Sequence, residues 1–246
     1  MLSGRVFIIT GVTSGFGLST TKLLLGQGAY VAGVARRKDR LEQLAAESGD
    51  HFLPIEADIL SADAPGQIVR STIERFGQID GLVNNAGVTL HEYVLESSLD
   101  NLHYSIDLNL KAYISLIHEA LPHLLKTAAA KGYADIVNLS SCAARWPAAS
   151  GSAYAAAKAG INAFSEALRK EVSPSFVRVI VIEPGLANTE LAYHVPNEGL
   201  RQAGLNSRAK IQSLEAIDVA ECICFCLDRP KHVNICELMI KPTEMV

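Results

Sequence analysis

The clearest chemical pair in the chain is a phenol and an ammonium set four positions apart among small side chains. In "GSAYAAAKAG" (151–160), Tyr154 and Lys158 stand out from a run of alanine and glycine. Alanine is the strongest helix former, so the run predicts a helix. Four residues advance a helix by about 400° and about 6 Å, which brings both groups to one face. A free phenol titrates near pH ~10. Small neighbours let a second backbone or a ligand approach. The spacing gives the geometry and leaves the purpose to the rest of the chain.

A second chemical feature lies near the amino terminus. "TGVTSGFG" (10–17) follows the apolar run "RVFIIT" and precedes a helical pattern. Gly11, Gly15 and Gly17 permit positive φ and close approach of the backbone to a pyrophosphate, and the helix that begins there offers free N–H groups to the anion. The spacing is G-x-x-x-G-x-G rather than the commoner G-x-G-x-x-G. About twenty residues on, where a carboxylate would bond a ribose 2′-hydroxyl, the second strand ends "GVARR". Arg36 and Arg37 instead suit a 2′-phosphate. Cations are disfavoured at a helix amino terminus, so a nearby anion accounts for them. The expected cofactor is NADP(H) rather than NAD(H).

These groups need a scaffold, and the chain supplies an alternating one. Short β-branched runs recur, each followed by a longer helical pattern. "AYVAGVA" precedes "RLEQLAAES", "HFLPIEAD" precedes "APGQIVRSTIERF", and "DGLVNN" leads to an amphipathic stretch from Leu99 to Lys126. "ADIVNLSS" comes before the tyrosine–lysine helix, and "VRVIVIEPG" before a less regular segment. A last helix over Leu214–Leu227 precedes "ICELMI". The strands read as nearly continuous apolar runs, as in a parallel sheet covered on both faces. The expected fold is α/β: a single doubly wound Rossmann-type domain over 1–246, with a seven-stranded, mostly parallel sheet and helices on both faces. The segment 186–210, with its glycines, asparagines and Pro196, breaks the rhythm and is expected to be an irregular lid over a substrate.

Composition narrows the function. Of 246 residues, 49% are hydrophobic and 20% charged, enough for a large core and unlike a disordered chain. The formal charge is −4, so nucleic-acid binding has no electrostatic footprint. No stretch approaches the ~18 apolar residues of a membrane span, and the first residues lack the pattern of a signal peptide. A cytoplasmic protein with no membrane partner is expected. The histidines of "HEALPH" (118–123) are five apart rather than the four of HExxH. The cysteines of "CICFC" would point apart on a helix, so no metal is expected.

Together the motifs resemble a known family. "TGVTSGFG", "NNAG" (84–87), Asn109, Ser141, "YAAAK" (154–158) and "PGLANT" (184–189) are similar, in order and spacing, to the short-chain dehydrogenase/reductase family of the ~250-residue type. The resemblance runs from end to end. It implies that Tyr154 exchanges the proton, that Lys158 holds the nicotinamide ribose, that Ser141 bonds the substrate carbonyl and that Asn109 fixes a relay water. It implies a cofactor site from Gly11, Thr13, Ser14, Gly15, Phe16 and Gly17, with Arg36, Arg37, Asp58 and Ile59. It adds Asn85, Ala86 and Gly87, Tyr154 and Lys158 themselves, and Pro184, Gly185, Leu186 and Thr189. Neighbouring Ser140 and Ser141 point to opposite faces of a strand end, and the family spacing selects Ser141.

"RPKHVNICELMIKPTEMV", "RWP" (145–147) and "EPGLANTEL" (183–191) resemble a subgroup that includes NADP-dependent 3-hydroxy-acid, serine-type dehydrogenases and clavulanate dehydrogenase. The resemblance implies interconversion of a small polar aldehyde or ketone and its alcohol. The alternatives are a 3-oxoacyl-carrier-protein reductase, which would want a basic docking surface, and a cofactor-binding regulator without turnover. Arg145 or a lid arginine, Arg201 or Arg208, is expected to hold a substrate carboxylate. Family members associate through the helices near 99–126 and 153–172 and the carboxyl terminus, which implies a homodimer or homotetramer.

Overall fold

The computed structural model describes residues 2–245. Its strands are β1 (Val6–Thr10), β2 (Tyr30–Ala35), β3 (Phe52–Glu56), β4 (Gly81–Asn84), β5 (Ala134–Leu139), β6 (Val177–Pro184) and β7 (Glu237–Ile240). They form one seven-stranded sheet in the order β3-β2-β1-β4-β5-β6-β7. Every pairing is parallel. Every residue of β1, β4, β5 and β6 is buried, which is why these strands read as nearly continuous apolar runs.

Side chains alternate across the sheet and build a core on each side. Ile8, Ala32, Leu82, Ile136 and Val179 face α3 (Ala64–Phe76), α5 (Ala112–Lys131) and α6 (Ser152–Val172), and pack with Ile68, Leu116, Leu124 and Leu168. Phe7, Ile9, Val31, Val83, Val137 and Ile180 face the other way. They pack with Leu24 of α1 (Gly15–Gly26), Leu41 and Leu44 of α2 (Lys38–Ser48), and Val219 and Ile223 of α8 (Ala216–Leu227). Each such side chain contributes about 1.5–3 kcal/mol by leaving water.

The amino-terminal end of the sheet is closed by buried charges that satisfy one another. Asp135 accepts from Arg5 at 2.7 Å and from Arg178 at 2.6 and 3.0 Å. The carboxyl ends are left for a site. The strand order reverses between β1 and β4, and such a switch point opens a crevice outside those ends.

Two elements differ from the expectation. The helix that begins with α4 (Leu99–Ile106) widens to a π turn at Asp107–Lys111 before continuing as α5 to Lys131. The segment 186–210 is more regular than its composition suggests. It holds a short 3₁₀ turn at Glu190–His194 and a helix, α7 (Glu198–Ala209), whose start is capped by Asn197 accepting from the Leu200 N–H at 3.0 Å. Among the described residues no helix is long and apolar enough to cross a membrane.

Candidate active site

A cleft of about 270 Å³ lies over the switch point. Its walls come from the β1–α1 turn, the end of β2, the segments after β3 and β4, the π turn, the end of β5, helix α6 and the 3₁₀ turn of the lid.

The β1–α1 turn is built to bring backbone close to backbone. A Cβ on Gly17 would stand 2.3 Å from the Gly11 carbonyl oxygen and 2.5 Å from Asn85 Nδ2, so only glycine fits. Asn85 donates from Nδ2 to the Thr10 carbonyl at 2.8 Å. Thr10 Oγ1 in turn accepts the Asn85 and Ala86 N–H groups at 2.9 and 3.0 Å. The turn is therefore pinned from behind by the "NNAG" segment. Helix α1 starts at Gly15 with no side chain capping its N–H groups and no acid in its first turn. This free amino terminus, beside glycines whose Cβ positions are taken, fits a pyrophosphate.

At the end of β2, Arg37 reaches back to the same turn. Its Nε donates to Thr13 Oγ1 at 3.0 Å and its Nη2 to Ser14 Oγ at 2.8 Å. Its Nη1 meets Glu190 of the lid at 2.8 Å. Arg36 is looser, with one long contact of 3.4 Å to the Tyr104 hydroxyl. Asp58 and Ile59 line the adjoining wall.

Tyr154 and Lys158 both turn into the cleft from α6 and are almost fully buried, at 8% and 3% exposure. Lys158 Nζ donates to the Leu139 carbonyl at 2.7 Å and lies 5.2 Å from the centre of the Tyr113 ring and 5.7 Å from that of Tyr154. Burial alone pushes this ammonium down to about 7. Burial also raises the Tyr154 phenol, while hydrogen bonds from Ser141 and Thr89 pull it down. Desolvation outweighs the hydrogen bonds, so burial sets the direction of the phenol's shift.

The adjacent serines separate cleanly. Ser141 lowers the Tyr154 pKa and accepts from the Ala143 N–H at 3.1 Å, but it does not line the cleft, whereas Ser140 does. Ser140 is buried and donates to the Lys158 carbonyl at 3.2 Å. Asn109 sits in the π turn, a distortion frequent at functional sites. Its Nδ2 donates to the carbonyls of Val88 and Ser105, both at 2.9 Å. Its Oδ1 is buried without a donor among the described residues, as expected of an acceptor that serves a water or a ligand.

Of the sequence-derived cofactor residues, Gly11, Thr13, Ser14, Gly15, Phe16, Arg36, Arg37, Asp58, Ile59, Asn85, Ala86, Gly87, Tyr154, Lys158 and Thr189 line the cleft. Gly17 lies behind the turn. Pro184, Gly185 and Leu186 do not line it: Gly185 packs on Met245 and Lys241, and the Leu186 N–H points at Met245 Sδ, 3.4 Å away.

The arginines expected to hold a substrate carboxylate are committed elsewhere. Arg145 Nε donates to both oxygens of Glu183 at 3.0 and 2.9 Å, and its Nη2 pairs with Glu237. Arg201 and Arg208 donate to the lid carbonyls of Val195 and Thr189. The reason is local: Glu183 is buried at the end of β6 and needs a cation.

Spacing in the sequence does not mark Thr89, Arg40 or Glu190, all of which reach the site. His91, in the loop after "NNAG", has its ring 6.4 Å from that of Tyr154, and burial lowers its pKa. That loop is tied to the one before α6 by the Glu92 N–H donating to Ser150 at 2.8 Å.

Comparison with known proteins follows the same lines. A sequence model of the short chain dehydrogenase family matches residues 5–198. The chain is 37% identical over 242 residues to a serine 3-dehydrogenase of Agrobacterium fabrum, covering 98% of this chain and 94% of that one. It is 32% identical over 238 residues to an NADP-dependent 3-hydroxy acid dehydrogenase of Shigella flexneri, covering 96% and 94%. Among solved structures, the closed form of serine dehydrogenase complexed with NADP+ superposes with a TM-score of 0.91 at 31% identity, covering 98% and 96%.

Proposed function

The chain belongs to the short-chain dehydrogenase family, and on that premise we propose that it is an NADP(H)-dependent oxidoreductase that interconverts the hydroxyl and carbonyl of a small polar substrate of the 3-hydroxy-acid type. One observation carries the reading. A single cleft joins a glycine turn fit for a pyrophosphate, two arginines just after β2, and the Tyr154 hydroxyl beside Lys158, with Ser141 next to that phenol. The relatives named for serine and 3-hydroxy acids, and the NADP+ in the related structure, support the substrate class and the cofactor.

When bound, the nicotinamide cofactor gives or takes the hydride. The protein's own residues bind, orient and move one proton. Arg36 and Arg37 hold the 2′-phosphate, the β1–α1 turn and the amino terminus of α1 hold the pyrophosphate, and Lys158 holds the ribose hydroxyls. Ser141 bonds the substrate oxygen. Tyr154 receives the hydroxyl proton during oxidation and returns it during reduction. Lys158 and the water held by Asn109 Oδ1 link the phenol to solvent. Exposed Phe225 of α8 and the half-exposed edge strand β7 lie outside this chemistry, and the β7–α8 edge suits association into a dimer or tetramer, which light scattering measures.

The test is a spectrophotometric screen at matched concentrations of NADP+ and NAD+. Oxidation of 3-hydroxy acids, serine among them, with a clear preference for NADP+ is the expected result. Turnover confined to acyl thioesters, or a preference for NAD+, overturns the proposal.

A further inference from the structure

The carboxylate of Glu190 sits between two guanidiniums at the rim of the cleft. Its Oε2 accepts from Arg37 Nη1 at 2.8 Å and its Oε1 from Arg40 Nη1 at 2.9 Å. Arg40 also donates to the Thr13 carbonyl at 3.2 Å, and Arg37 bonds the hydroxyls of Thr13 and Ser14. Two cations thus converge on one anion just after β2, and the Thr13 and Ser14 hydroxyls hold one of those cations, Arg37, in place. This is the position at which an adenosine ribose meets the protein in a doubly wound fold.

The anion is supplied by the lid. Glu190 begins the 3₁₀ turn Glu190–His194, and the preceding Thr189 packs over the β1–α1 turn, its Cγ2 3.5 Å from where a Cβ on Gly15 would lie. Arg208 of α7 donates to the Thr189 carbonyl at 3.1 Å, so the helix of the lid is fastened to the same point. The two guanidiniums hold the Glu190 carboxyl down to about 2, so it is ionised throughout the working pH range. Arg36 and Lys38 flank the cluster. Lys38 pairs with Glu42, which leaves Arg36 as the neighbour with only a long contact to Tyr104.

A carboxylate and a phosphate make the same demand on a guanidinium, a planar fork of N–H donors. We propose that Glu190 competes with the cofactor's 2′-phosphate for Arg37 and Arg40, which makes this lid carboxylate a determinant of cofactor affinity and couples phosphate binding to release of the Glu190–His194 turn. The inference rests on the NADP(H) reading above. Arg40, the third residue of α2, becomes a second phosphate ligand once Glu190 leaves. The exchange conserves charge pairing at the two arginines and costs the lid its anchor.

The experiment is calorimetric titration of wild type and Glu190→Gln with 2′,5′-ADP and with ADP, which differ in the 2′-phosphate. Glutamine keeps the size of the side chain and removes the charge. Expected is a gain of about fivefold for 2′,5′-ADP, the size of an exposed ion pair, with ADP binding unchanged. An equal gain for both ligands overturns the proposal, because the carboxylate then repels the cofactor at large. No gain, with wild type still preferring 2′,5′-ADP, overturns it and leaves the NADP(H) reading standing. No preference for 2′,5′-ADP in either protein overturns both. Hydrogen exchange on the wild type gives a second readout that needs no variant. Residues 190–194 should exchange faster with 2′,5′-ADP than with ADP, and unchanged or slower exchange counts against the proposal.

Discussion

Lys158 Nζ lies 5.7 Å from the centre of the Tyr154 ring, on the same face of α6, and its hydrogen bond is to a backbone carbonyl, that of Leu139. The ammonium is thus buried between two aromatic rings, and burial pushes it from 10.5 down to about 7. The unfolded chain keeps its proton up to the ordinary lysine value, so between those two pH values the unfolded state binds more protons. Stability therefore rises with pH across that range, by at most about 5 kcal/mol from this group. The buried thiols of Cys224 and Cys226, raised to about 12, act in the opposite sense only above pH 9. Thermal melts from pH 7 to 9 should show a rising Tm in wild type and a flatter profile in Lys158→Met. Parallel profiles would mean that the ammonium keeps its ordinary affinity for the proton.

The phenol is the one group assigned to proton exchange with substrate. Tyr154→Phe should lower kcat/KM by about 10²–10⁴, with the binding of 2′,5′-ADP retained. Rapid turnover in a folded variant that still binds the analogue would remove Tyr154 from the chemistry.

Thr89, in the loop after β4, pulls the same phenol's pKa down against burial. Thr89→Val should shift the rising, low-pH limb of the kcat/KM profile for oxidation to higher pH, since the phenolate is harder to form. Thr89→Ser should restore it. A change in rate at every pH with no shift of the profile would point to packing instead.

How far these relations can be read from residues depends on their range. The strands are legible because β1, β5 and β6 are buried on both faces and so are mostly apolar, with their few polar residues near the strand ends. The glycine turn and the Tyr154–Lys158 pair are legible because each is local. Helix α7 is not, because none of its residues is buried and no apolar stripe marks it. The π turn around Asn109 escapes notice because one extra residue per turn barely alters the apolar spacing. Contacts such as Arg37–Glu190 and Arg145–Glu183 join residues 153 and 38 positions apart, and only the fold brings them together.

Gly17 tests how tightly the turn is built. A methyl there would stand 2.3 Å from the Gly11 oxygen, with backbone on that side and the pinned Asn85 amide on the other. Neither can yield without breaking the Asn85–Thr10 bonds. Gly17→Ala should cost about 1–3 kcal/mol in urea unfolding and weaken 2′,5′-ADP more than it weakens any carbonyl substrate. A stable variant with wild-type affinity would show that the turn has room to spare.

Arg145 was the natural candidate for a substrate carboxylate, and its contacts point to a different role. Glu183 is 1% exposed, accepts from Arg145 at 2.9 and 3.0 Å and from Asn162 Nδ2 at 2.6 Å, and lies one residue before the end of β6. Removing the guanidinium leaves a buried carboxylate with one neutral donor. A fully buried pair broken in this way loses about 3–5 kcal/mol. The Arg145 side chain is 43% exposed, so water takes up part of the loss and about 1–3 kcal/mol is expected. Arg145→Ala should therefore lower the urea midpoint and alter KM equally for an acidic substrate and its neutral analogue. Adding Glu183→Gln should recover part of the stability, because the stranded charge is gone. If instead Arg145→Ala is as stable as the parent and raises KM for the acidic substrate alone, the guanidinium serves the substrate and the pairing with Glu183 is incidental.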